Sequence, residues 1–130
     1  MRIIIETIEH KDQRYNTVGD WQFIGDELII KVSKLEDERL EFLVGLHELV
    51  EAYLCKVYGI TSEQVDAFDM AHEDDIDPGG IPTAPYYRQH LFATVVEHII
   101  AGELDVDWDA YETAIEKTSL PTYLPYNKIS

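Results

Sequence analysis

One cysteine, Cys55, stands in the whole chain, so an internal disulfide and a cysteine-only metal site are both excluded. Basic residues are scarce. Ten Lys and Arg face 26 Asp and Glu, for a formal net charge of −16. Beyond Gly59 the imbalance sharpens, with Arg88, Lys117 and Lys128 the only basic side chains. A nucleic-acid binder must neutralise phosphates with Lys and Arg, so direct contact with nucleic acid is excluded as a main function. The same charge repels anionic membranes. No apolar run is long enough to cross a bilayer. The opening Met1-Arg2-Ile3-Ile4-Ile5-Glu6 is too short and too soon charged for a signal peptide. A cytoplasmic location is the default expectation. No repeat, low-complexity stretch or Ser/Gly linker breaks the chain, and 130 residues fit a single domain, 1–130.

What is present is a run of β-prone segments followed by helical ones. Ile3, Ile4 and Ile5 lead a first strand. Trp21–Ile24, then Gly25-Asp26, then Glu27–Val32 reads as a hairpin on a two-residue turn, with Gly25 where φ must be positive. Ser33-Lys34-Leu35-Glu36 fits a capping box opening a long helix that ends before Gly59. Thr61-Ser62-Glu63-Gln64 repeats the capping signature for a shorter helix through Phe68. His72 to Pro82 is an acidic loop carrying Gly79-Gly80. A third helix spans Tyr86 to Ala101, closed by Gly102, and Asp107 to Lys117 supplies a fourth. Pro121 and Pro125 argue against regular helix in the tail. The order of elements predicts an α+β fold: a small N-terminal antiparallel sheet with a β-hairpin, packed on three to four helices.

The pointed feature is His47-Glu48-Leu49-Val50-Glu51 within the long helix. With about 100° per residue and His47 at zero, Phe42, Leu43, Leu46, Leu49, Val50, Tyr53, Leu54 and Val57 fill the arc from about 200° to 340°. That arc predicts the core face. Glu41, Gly45, Glu48 and Lys56 occupy the expected wet face, and His47 and Glu51 sit beside apolar flanks between the two. A carboxylate and an imidazole withdrawn from water need a partner, and residues at i and i+4 stack closely enough to share one ion. A His47–Glu51 salt bridge at the core edge is the plain alternative.

The third helix carries a matching stripe: His90, Thr94, Glu97 and Ala101, beside a core face of Phe92, Ala93, Val96, Ile99 and Ile100. If the stripes meet, His47, Glu51 and His90 make a two-His, one-carboxylate set that suits zinc or another divalent metal with an open position. Glu97 would orient an imidazole from behind or bind the metal itself. His72, Asp69 and His98 are weaker candidates. Glu73-Asp74-Asp75-Ile76-Asp77 lacks the spacing of a calcium loop and reads as a solvated loop. Cys55, in an apolar helix, reads as an inert buried thiol.

A small sheet leading into a helix with His-Glu-x-x resembles the active-site helix of the zincin metallopeptidases, over residues 21 to 58. The segment His47–Cys55 is also similar to one in small phage and bacterial proteins. The zincin resemblance implies His47 as a zinc ligand and Glu48 as the general base of a peptidase or other hydrolase. Glu51 stands where that pattern has its second His, so the motif departs from the family at a ligand. Two other functions fit an acidic chain. One is a binding protein or DNA mimic engaging a basic partner; the other is a structural or assembly protein without turnover.

Overall fold

The computed structural model describes the backbone of residues 1–129 and the side chains through Ser119. Strands Arg2–Ile8 (β1), Gly19–Ile24 (β2) and Glu27–Ser33 (β3) form one sheet in the order β1-β3-β2. Four helices follow: Glu38–Val57 (α1), Ser62–Ala71 (α2), Tyr87–Glu103 (α3) and Trp108–Ile129 (α4). The fold is α+β.

The hairpin forms where the sequence places it. Ile24 pairs with Glu27, leaving Gly25-Asp26 as the turn, and Gly25 takes φ +59°. Central β3 alternates as a strand with one covered face should: Leu28, Ile30 and Val32 are buried, while Ile29 and Lys31 between them are half-buried. The sheet is mixed, however, and not antiparallel throughout. β1 runs parallel to β3, with Ile3 opposite Leu28 and Ile5 opposite Ile30. The cause lies in the link 9–18. It passes over the end of β3 and delivers β2 to the opposite edge, so β1 and β2 flank β3 in opposite directions.

Ser33 serves that link and does not cap a helix. Its Oγ lies 2.8 Å from His10 Nδ1 and accepts from Gln13 Nε2 at 3.1 Å. Gln13 Nε2 also reaches the Lys31 carbonyl at 3.1 Å. The cap of α1 is Asp37, whose carboxylate accepts from the Arg39 amide at 2.9 Å. At the other end Gly59 adopts φ +73°, its amide bonds to Lys56 O and the Ile60 amide to Cys55 O. This is a Schellman ending, as the glycine predicts. The capping box of Thr61 and Gln64 opens α2, which runs on past Phe68 to Ala71. Gly102 lies inside α3, and the left-handed residue after that helix is Asp105, φ 56°. α4 continues through Pro121 and Pro125, against the expectation for the tail. Each proline withholds one helical N–H, but its locked φ of about −65° is itself a helical value.

The largest difference concerns helix orientation. The face of α1 that packs inward carries Val44, Gly45, His47, Glu51, Ala52 and Cys55; of the predicted core face Leu43 is buried and Leu49 packs partly buried against the core, while Phe42, Tyr53 and Val57 are exposed. On α3 the buried residues are Gln89, Ala93, Glu97 and Ala101, and Phe92 and Ile99 face out. Small residues explain part of this. A Cβ on Gly45 would meet Ile5 Cγ2 at 3.3 Å and Val32 Cγ2 at 3.6 Å, so α1 lies close on the sheet there. Among the described residues no helix is long and apolar enough to cross a membrane.

Candidate metal centre

α1 and α3 bring His47, Glu51 and His90 to one point. Glu51 Oε2 is 2.8 Å from His90 Nδ1 and 3.1 Å from His47 Nε2, and the two imidazole nitrogens are 3.1 Å apart. Ligands of a tetrahedral ion with bonds of about 2.0–2.1 Å sit about 3.3 Å from one another, so an adjustment of a few tenths of an ångström suffices. The three groups can hold a metal ion. His72 does not reach this point; its ring stacks on Phe68 and bonds to the Phe68 carbonyl. His98 stacks on Trp108. Asp69 lies in the same cavity but is occupied by the Tyr15 and Tyr86 hydroxyls, which both donate to it.

Each of the three groups is held from behind. His47 Nδ1 donates to Glu97 Oε1 at 2.8 Å, and the Tyr111 hydroxyl donates to the other Glu97 oxygen. Glu97 therefore orients an imidazole, the first of the two roles its spacing allows. His90 Nε2 faces Asp77 Oδ1 at 2.8 Å. Glu51 Oε1 accepts from Trp21 Nε1 at 3.0 Å. The two outer carboxylates are unequal: the Glu97 side chain is 8% exposed and that of Asp77 63%, so solvent screens the second contact far more than the first.

These outer contacts decide what faces inward. An ionised carboxylate only accepts, so each imidazole must turn an N–H outward to Glu97 or Asp77. A neutral ring then presents a bare lone pair inward. With both rings neutral, three acceptor atoms converge with no hydrogen among them, which is the electronic requirement for a cation. Protonating both rings instead would aim two N–H groups at each other across 3.1 Å.

Without a cation, protons compete for these inward lone pairs. Burial opposes a charged His47, but hydrogen bonds to Glu51 and Glu97 outweigh it and hold its pKa well above the usual imidazole value. His90 is likewise penalised by burial and raised by Asp77 and Glu51, to about 9. Glu51 is raised by burial and lowered further by its two imidazole contacts, ending well below the ordinary carboxylate range. The field of this pocket favours positive charge.

Glu48 is the fourth member. Expected on the wet face, it is half-buried, with its side chain 12% exposed and Oε2 3.9 Å from His47 Nε2. Burial first, then the Glu51 charge, push its pKa well above the carboxylate norm. Gly19, at the start of β2, lies so close that a Cβ there would fall 2.8 Å from Glu48 Cγ and from Val44 Cγ1. The three converging side chains and Glu48 open on a cavity of about 340 Å³. Its described wall also carries Asp69, Glu73, Asp75, Glu112 and Glu116 and includes neither Lys nor Arg.

Sequence reasoning missed four contributors. Asp77 lies in the acidic stretch read as solvated loop. Gly79, in the 3-10 turn Pro78–Gly80, touches the His90 ring so closely that a Cβ would sit 2.5 Å from Nδ1 and Cγ. Only the Gly79-Gly80 pair hinted that backbone must pass near something there. Trp21 and Tyr111 gave no signal beyond being aromatic, since their roles depend on which strand and helix face the site.

Comparisons of the chain with protein-family models, with curated proteins and with solved structures give no match.

Proposed function

We propose that the protein is a zincin-like metal-dependent hydrolase, acting on peptide bonds or a related acyl linkage in substrates that carry positive charge. The supporting observation is the convergence of His47 Nε2, Glu51 Oε2 and His90 Nδ1 within 3.1 Å, each fixed from behind, beside a carboxylate that shares their cavity. Two imidazoles and one carboxylate suit zinc with an open coordination position. A divalent ion held there would supply Lewis acidity towards a carbonyl and lower the pKa of a bound water to about 7. Glu48 takes the proton of the attacking water and returns it to the leaving nitrogen, a role that matches its raised basicity. His47 and His90 keep their outer N–H groups on Glu97 and Asp77 throughout, so their tautomers do not change during turnover. The acidic wall selects cationic substrates and repels anionic ones.

Compared with the zincin motif, the ligand inventory is permuted. Glu51 takes the place of the second helical His, and His90 of α3 restores an imidazole from outside the motif. The test is elemental analysis of tag-free protein, followed by assay on Lys- and Arg-containing peptides. Stoichiometric zinc in the native chain, lost in His47→Ala and His90→Ala, is the expected result. Glu48→Gln should keep the metal and abolish hydrolysis. Native protein that takes up no divalent metal would remove this reading. Iron in place of zinc, which the same two-His, one-carboxylate set accommodates, would redirect it to oxygen chemistry.

A further inference from the structure

We infer that the outer face of the α1–α3 pair is where two copies of this chain meet as a two-fold symmetric dimer. The inference stands apart from the metal reading and rests on what the two helices turn outward. Phe42 is 58% exposed, Tyr53 49%, Val57 60%, Phe92 59%, Val95 50% and Ile99 63%. A shallow apolar groove lined by Met1, Ile3, Leu49, Val50, Tyr53 and Leu54 continues the face from α1 onto edge strand β1. At roughly 150–250 Å² for a fully exposed large side chain, the six exposed helix residues alone present on the order of 600 Å². That is the upper end of the largest apolar patch a monomer surface usually leaves, and patches of that size are often functional. Exposed Met1 (63%) and Ile3 (45%) at the adjoining end of β1 extend it towards the roughly 800 Å² per partner of a standard interface.

Charge selects the occupant. Between Phe42 and Val57 the acidic residues are Glu48 and Glu51, and both turn away from this face towards the cavity. Between Leu91 and Ile99 the acidic residue is Glu97, which is buried. A chain of net charge −16 thus keeps the middle of one face free of carboxylates. A basic partner would find nothing to pair with there, and an anionic lipid surface would be repelled by the rest of the molecule. A second copy meets the same carboxylate-free, largely apolar surface on both sides, as a two-fold interface requires. The electrostatic term opposing its association is the long-range repulsion of two acidic bodies. Added salt screens that repulsion, so the dimer should tighten with ionic strength, whereas capture of a basic partner weakens.

Sedimentation of the full chain over about a hundredfold concentration range, at low and at high salt, tests this. The expected result is a species of twice the 15.0 kDa chain mass that is favoured by concentration and by salt. Phe92→Glu and Tyr53→Glu should each weaken it at least about 30-fold while leaving circular dichroism unchanged. If either variant misfolds, hydrogen exchange of the native chain above and below the midpoint replaces it, with added protection expected in α1 and α3 peptides. A native chain that stays monomeric at every concentration and salt overturns the proposal. So does a dimer that both folded variants retain, or one protected elsewhere.

Discussion

The two sides of α1 make opposite use of the same helix. One side sends His47, Glu48 and Glu51 into the protein, where both His47 nitrogens and both Glu51 oxygens have named counterparts and Glu48 opens on the cavity. The other sends Phe42, Tyr53 and Val57 towards solvent. α3 repeats the division with His90 and Glu97 inside and Phe92 and Ile99 outside. A helical wheel shows that two faces differ; which of them is inside depends on what else the fold offers. Here Trp21, Tyr111 and Asp77, from three distant segments, satisfy the polar side, so that side can be buried.

Removing His47 does the most damage to the polar side of α1. In His47→Ala the Glu51 and Glu97 carboxylates lose a buried imidazole, and the folded state should lose about 3–5 kcal/mol by denaturant unfolding, together with metal uptake. Next in size is Gly79→Ala. The new methyl must displace the His90 ring, at about 1–3 kcal/mol of stability, with metal affinity falling about 10–100-fold by titration calorimetry. Acidity probes the same side in metal-free protein. The folded pKa of His90 is raised to about 9, so its contribution is fully present below the unfolded value near 6.5 and is lost as pH rises towards 9. Thermal melts of metal-free protein should therefore fall across that window. Saturating metal replaces the protons and should flatten the decline. The smallest effect is expected outside: Val57→Thr should change the stability of the dilute, monomeric chain by under about 0.5 kcal/mol, because its side is already wet.

These contrasts mark where sequence was informative. The hairpin turn, the Thr61 capping box and the Gly59 helix end were legible because each is a local geometric demand written in adjacent residues. The site was legible in part for the same reason. His47 and Glu51 are one turn apart, and His90 and Glu97 lie on one stripe. Their meeting could be stated only as a condition. The parallel β1, the inward polar faces and the placement of Glu48 were not legible, because each depends on how distant segments pack. Ser33 shows the hazard in miniature: its local pattern matched a cap, but the end of a strand and the link crossing it claimed its hydroxyl first.

The clamp on His90 carries a consequence for the whole chain. Glu51 and His90 are separated by the capped helix α2 and by the turn that contains Gly79, and Asp77 pins the ring from within that same span. An ion joining the two side chains would act as a cross-link that closes this stretch into a ring, holding the N-terminal sheet and its helix to the C-terminal pair. Occupancy and folding would then rise and fall together across the entire domain, and a chelator would loosen parts of the molecule far from any ligand.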